Sequence, residues 1–202
     1  MLEESAFALF RDIGRDLFLR GLVSSHAGNI SIRAGREIFI TRRGSMLGRI
    51  TQGDLVKVDL DKPDPKASRA SSEVVVHSAI YRNTGALAVV HAHPPYATLL
   101  SMLADELVPC DSEGSYLLKK VPVVSVEETI GSLEAAGLVS ERLKDCRIVL
   151  MRGHGSFARG DTLEDAYMVT SSLDASAFYL YHLEAQRSKG SFPIKTRPGR
   201  GH

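Results

Sequence analysis

The segment Ala86–His93, ALAVVHAH, runs straight into Pro94 and Pro95, and no other stretch restricts the fold of this chain as tightly. An apolar run of this length, closed by prolines, reads as a buried strand. Proline has no N–H to give to a ladder, so the pair ends the strand, and its fixed φ suits the first position of a following helix. His91 and His93 are two apart on that strand, so both side chains leave the same face of a sheet. The prolines put them at its end. Two imidazoles need this spacing to share one cation.

A third histidine has a comparable setting. His154 lies between Gly153 and Gly155, just after the strand-like run CRIVLM (146–151), where a glycine turn can aim its ring freely. Three neutral imidazoles leave the fourth position of a tetrahedral zinc open, as catalytic sites do and structural ones do not. A lone H-x-H recurs by chance and is more often a pair of unrelated histidines. The third histidine, together with the carboxylate of Glu73 at a helix start, turns the balance toward a metal site. His26, His77, His182 and His202 have no such setting. His77, one helical turn past Glu73, reads as a helix-surface or core-edge residue.

Around this centre the chain alternates strands and helices. Residues 5–20 place Phe7, Phe10 and Leu17 at helical spacing, with Gly21 as a stop. GNISIRAGREIFIT (28–41) alternates apolar and polar residues on both sides of Ala34-Gly35, a β-hairpin pattern. LVKVDL (55–60) reads as a strand and DKPDPKASRASS (61–72) as a surface loop. Ser71 and Ser72 then serve as N-caps for a helix with Glu73 in its first turn. PVVSV (122–126) and CRIVLM are strands separated by a helix, and a last helix runs from about Thr162 to Gln186 with Asp161 or Thr162 as cap. Hairpins early and helix-linked strands later imply an α/β fold on a mixed or antiparallel sheet.

Composition excludes several function classes. With 202 residues the chain fits one domain, expected over 1–188, followed by a basic, mobile tail over 189–202. A net charge of +1 gives no field for nucleic acid or anionic lipid. No apolar run approaches the roughly 20 residues that span a bilayer. Glu3 and Glu4 do not fit a signal peptide. Cys110 and Cys146 are too few for a disulfide framework or thiolate site, and read as small hydrophobes in a reducing cytoplasm. The expectation is a cytoplasmic protein with no nucleic-acid or membrane partner.

Three polar turns offer an anion something to bind. Gly28-Asn29 follows Ser24, Ser25 and His26; TRRGSML (41–47) centres on Gly44; and Ser71-Ser72 opens a helix whose free N–H groups and dipole favour negative charge. Each alone is more often an ordinary turn or cap. Beside a metal site they point to a phosphorylated substrate. Arg42 and Arg43 could reach such a phosphate or a neighbouring subunit, although turn arginines are as often simply solvated.

In order along the chain stand GNIS (28–31), ITRRG (40–44), SSE (71–73), HAH (91–93) and GHG (153–155). This series resembles the class II aldolase/adducin-like family, its L-fuculose-1-phosphate aldolase branch in particular, from about Phe7 to Leu183. The resemblance implies a three-layer α/β fold whose central, mostly antiparallel sheet is flanked by helices. It also implies a fourfold-symmetric homotetramer with active sites at subunit boundaries. In its terms His91, His93 and His154 match the Zn2+ ligands, Glu73 the general base, and Asn29, Gly44, Ser71 and Ser72 the phosphate site. His26 and Arg43 stand where relatives often carry threonine. A tyrosine on the aldehyde side of the fuculose enzymes has no direct match; PCDSEGSY (109–116) offers Glu113 and Tyr116 instead.

The implied activity is a zinc-dependent aldolase that reversibly cleaves a ketose 1-phosphate to dihydroxyacetone phosphate and a small aldehyde such as lactaldehyde. A Schiff-base route would need a buried lysine, and none has that context. Methylthioribulose-1-phosphate dehydratases and ribulose-phosphate 4-epimerases are the alternative, the epimerases disfavoured because they tend to carry Asp where this chain has Glu73. A non-enzymatic adducin-like head is disfavoured by the intact histidines and Glu73.

Overall fold

The computed structural model describes residues 2–62 and 65–188. The tail expected to be mobile over 189–202 lies outside them. Helix α1 (Leu2–Leu19) comes first. Its Phe10, Ile13 and Leu17 fall on one face and are buried, each such side chain contributing about 1.5–3 kcal/mol by leaving water. The hairpin expected around Ala34-Gly35 is present as β1 (Asn29–Ala34) and β2 (Glu37–Thr41), continued by β3 (Leu55–Asp59). Then come α2 (Val74–Asn83), β4 (Ala88–Ala92) and α3 (Pro95–Ser101), with Pro95 at the first helical position. The chain continues through β5 (Glu106–Leu107), α4 (Ser112–Leu117), β6 (Val121–Val124) and α5 (Leu133–Arg142). It closes with β7 (Ile148–Met151), β8 (Gly155–Gly160) and the long α6 (Leu163–Ser188).

The eight strands form one sheet in the order β3-β2-β1-β4-β8-β7-β6-β5. Every neighbouring pair is antiparallel except β6 with β7. Alternation along the strands sends side chains to two apolar layers. On one face Val89, Val149, Met151 and Phe157 pack with Val76, Ile80 and Tyr81 of α2 and Ala136 and Val139 of α5. On the other, Ala88, Val90 and Ala92 meet α1, while Ile148, Leu150 and Ala158 meet Val169, Leu173 and Ala177 of α6. The result is the expected central, mostly antiparallel sheet between helical layers.

Local chemistry sets the helix starts. Thr162 Oγ1 accepts the Asp165 N–H at 3.1 Å, so Thr162 is the cap of α6. Helix α2 begins later than the serines imply: Glu73 occupies its cap position without a side-chain cap bond. Ser71 Oγ instead accepts the Glu73 N–H at 3.2 Å, because Ser71 N–H is tied to Thr41 O and its residue belongs to the preceding turn. Two other expectations need correction. Cys110 is exposed rather than tucked into a core. His77 is fully buried rather than at a helix surface, because its side of α2 lies on the sheet. No helix among the described residues is long and apolar enough to cross a membrane.

Candidate metal centre

A row across three strands builds the site. Asn29 on β1 pairs with His91 on β4, and His91 pairs with Phe157 on β8. All three therefore share the face that α2 covers. The His91 ring stacks on Phe157 with centroids 4.1 Å apart and planes at 18°. His91 Nδ1 donates to Ser156 O at 3.0 Å, which fixes the tautomer and leaves Nε2 as a bare lone pair. His93, just past the end of β4, brings its Nε2 to 2.9 Å from that atom.

His154 joins them from the β7–β8 turn, where Gly153 N–H donates to Ser101 Oγ at 3.0 Å. The turn passes so close to β4 that a Cβ on Gly155 would lie 2.4 Å from Ala92 O and 2.5 Å from His93 Cδ2. Glycine is required there, which gives the GHG pattern a steric cause. One ring nitrogen from each histidine falls within 4.8 Å of the others. Burial lowers all three pKa values, with charge repulsion from neighbouring histidines adding to it at His91 and His93, that of His93 to about 4, so the imidazoles are neutral at physiological pH. Neutral imidazole is the ligating form. His154 Nδ1 is buried without a partner and the His91 lone pair faces His93. These donors fit a divalent cation, and the three histidines form a candidate metal site.

Glu73 lines the same cleft, which encloses about 250 Å³. Only 2% of the residue is exposed, and burial raises its pKa to about 7 against the opposing hydrogen bond from Gly131. Gly131 N–H donates to Oε2 at 3.2 Å, while Oε1 is buried with no partner. Gly131 has φ +64°, and a Cβ there would come within 2.5 Å of Ser72 O. The β6–α5 loop therefore presses directly onto the start of α2.

The three polar turns converge. Asn29, Gly44, Ser71 and Ser72 all line the cleft, as do His26, Arg43 and Ser45. Asn29 Oδ1 is buried without a partner. Arg42 is committed elsewhere, its Nε 2.7 Å from Asp54 Oδ1. Glu113 and Tyr116 are not brought to this cleft within one chain. Both lie exposed on α4, Tyr116 at 82%. Ser45, Ile130 and Gly131 line or latch the cleft without having been singled out from the sequence. Nothing in the polar run EETIGS marks its last residues as neighbours of Glu73.

Comparison with known proteins agrees with this geometry. The L-fuculose phosphate aldolase of Methanocaldococcus jannaschii is 33% identical over 169 residues, 83% of this chain and 91% of the relative. The crystal structure of l-fuculose-1-phosphate aldolase from Thermus thermophilus superposes with a TM-score of 0.89 at 41% identity, covering 92% of this chain and 97% of that one. Other relatives carry other names. The 3-oxo-tetronate 4-phosphate decarboxylase of Haemophilus influenzae is 31% identical, over 89% of this chain and 88% of its own. The methylthioribulose-1-phosphate dehydratase of Gluconobacter oxydans is 33% identical, over 83% and 85%. Residues 9–181 match the Class II Aldolase and Adducin N-terminal domain. The chain belongs to that family and is an enzyme of the lyase class within it.

Proposed function

We propose that this enzyme is a zinc-dependent aldolase that reversibly cleaves a ketose 1-phosphate of the L-fuculose-1-phosphate kind to dihydroxyacetone phosphate and a small aldehyde such as lactaldehyde. The observation that carries the reading is the single cleft shared by Glu73, the three histidines and the polar turns. His91, His93 and His154 would hold the cation, which when bound supplies a Lewis acid for the charge developing on the substrate's oxygens.

The remaining roles fall to the chain's own groups. Ser71 and Ser72 offer hydroxyls, Asn29 a carboxamide and Gly44 a backbone N–H to the phosphate, with the Arg43 guanidinium at the rim. Anchoring the phosphate orients C3 of the three-carbon fragment toward Glu73. In the condensation direction Glu73 takes the proton from C3, and in cleavage it returns it. A carboxyl whose pKa is about 7 is suited to both directions near neutral pH. Oε1, which has no hydrogen-bond partner among the protein's own groups, is the oxygen free to accept that proton.

A dehydratase or decarboxylase acting on a related sugar phosphate is the second reading, favoured by the names of two relatives. Incubation with a panel of ketose 1-phosphates and phosphorylated 3-oxo sugar acids separates the cases. Release of dihydroxyacetone phosphate supports the aldolase; loss of water or carbon dioxide without it supports the second reading.

We further propose a cytoplasmic homotetramer with active sites completed at subunit boundaries. The exposure of Leu99, Met102 and Leu103 around the end of α3, and of Phe178, Tyr179 and Leu183 on α6, supports an assembly. Glu113 and Tyr116, solvent-facing in one chain, would then meet the aldehyde end of a neighbour's substrate. Mass measured by light scattering tests the assembly.

A further inference from the structure

The start of α2 carries Glu73, whose own side chain makes no cap bond; Ser71 Oγ and Gly131 N–H hold it from the flanking loops, and a further hold comes from within the helix. The nearest rigid feature lies one turn along. His77 donates its backbone N–H to Glu73 O at 3.0 Å, closing the first turn. The His77 and Tyr81 side chains, four residues apart, share the helix face that lies on the sheet. Both meet one atom: Ser31 Oγ lies 2.6 Å from His77 Nδ1 and 2.7 Å from the Tyr81 hydroxyl. All three residues are at most 1% exposed and are surrounded by the apolar layer of α2 and α5.

Apolar contacts alone let a helix slide over a sheet by small amounts at low cost, because they carry no direction. Two hydrogen bonds to one hydroxyl are directional; breaking the one to His77 leaves its buried Nδ1 without a partner, and breaking the one to Tyr81 leaves that hydroxyl with only the Val89 backbone. They therefore fix both the height and the rotation of α2 against β1. Ser31 is two residues from Asn29 on the same face of β1, so the strand that carries a phosphate-side carboxamide also anchors the helix that carries the carboxylate. The trio also reaches the metal side: the edge of the His77 ring faces Phe157 at 6.3 Å, and Phe157 is the ring on which His91 stacks.

We propose that Ser31, His77 and Tyr81 are positioning residues that set the Glu73 carboxylate relative to the bound substrate, an inference that rests on Glu73 being the base. None of the three lines the cleft, so none touches substrate.

The test uses full-length, zinc-loaded Ser31→Ala, Tyr81→Phe and His77→Asn. Tyr81→Phe removes one oxygen and keeps the ring, so it folds even where Ser31→Ala does not. His77→Asn keeps a polar nitrogen or oxygen near the Nδ1 position and acts as the conservative rescue. The first readout is hydrogen exchange of the Gly131 amide, which reports directly on the seat of Glu73 through its 3.2 Å bond. Exchange rises about tenfold in Tyr81→Phe and Ser31→Ala. The second readout is turnover: kcat falls roughly tenfold to a hundredfold with KM and zinc content unchanged. His77→Asn stays close to the wild type in both.

A folded Tyr81→Phe with unaltered Gly131 exchange and unaltered kcat overturns the proposal. So does a loss of activity that follows loss of zinc. Should no ketose 1-phosphate be cleaved by the wild type while Gly131 exchange still responds, the positioning role stands and the aldolase reading alone fails.

Discussion

Glu73 is held by one oxygen and free at the other: Oε2 accepts the Gly131 N–H at 3.2 Å, and Oε1 is buried with no partner. This asymmetry joins the start of α2 to the β6–α5 loop and makes Glu73 the most informative position for experiment.

Burial that raises the Glu73 pKa from 4.5 to about 7 has a consequence for stability. A group whose folded pKa lies above its unfolded value favours folding while protonated. That contribution is complete below about pH 4.5 and lost as pH rises through about 7. In metal-free protein, Glu73→Gln should therefore be more stable than the wild type at pH 8 by about 3 kcal/mol and nearly equal to it at pH 4.5. Urea unfolding of both proteins in chelator, at the two pH values, measures the difference.

The histidine cluster predicts a metal-linked gain in stability. Zinc should raise the melting temperature of the wild type, the gain growing with the logarithm of its free concentration once that exceeds Kd. His154→Ala, which removes one of the three proposed ligands, should lower zinc affinity by roughly a hundredfold or more, about 3 kcal/mol. Gly155→Ala should act similarly without touching a ligand atom, because its Cβ would strike Ala92 O and the His93 ring. Titration calorimetry with zinc checks all three proteins.

Gly131 should tolerate no side chain. Its φ of +64° and the 2.5 Å approach of a Cβ to Ser72 O predict that Gly131→Ala costs about 1–3 kcal/mol and displaces the loop from Glu73. Denaturation midpoints and turnover should fall together.

How much of this was readable beforehand follows from the range of the interactions. β4 with His91, and His93 just past its end, were legible because apolarity, the i, i+2 spacing and the closing prolines are local properties. So was the convergence of glycine and His154, as a pattern if not as a clash. β8 was not foreseen: GSFARG has glycines at both ends and too little apolar alternation to read as a strand, and its pairing with β4 and β7 is what makes it one. The six residues of α4 are too few to show a helical period. The local pattern leaves His77 at a helix surface or core edge, because its partner Ser31 is 46 positions away. The Glu73–Gly131 contact spans 58 positions, and no local pattern encodes it.

Arg43, at the rim of the cleft, predicts a separable effect on binding. Arg43→Ala should raise KM for a phosphorylated substrate roughly tenfold and leave kcat nearly unchanged, the loss of one charge-assisted hydrogen bond. Steady-state kinetics at two salt concentrations shows whether the loss is electrostatic.

The proposed aldolase turns on Glu73 moving the C3 proton while the histidines retain the metal. Zinc-loaded wild type and Glu73→Gln should each be incubated with dihydroxyacetone phosphate in deuterium oxide, with exchange at C3 followed by NMR and metal content measured in parallel. Exchange by the wild type and none above background by Glu73→Gln is expected, with zinc bound equally by both. Undiminished exchange by zinc-bearing Glu73→Gln would contradict it.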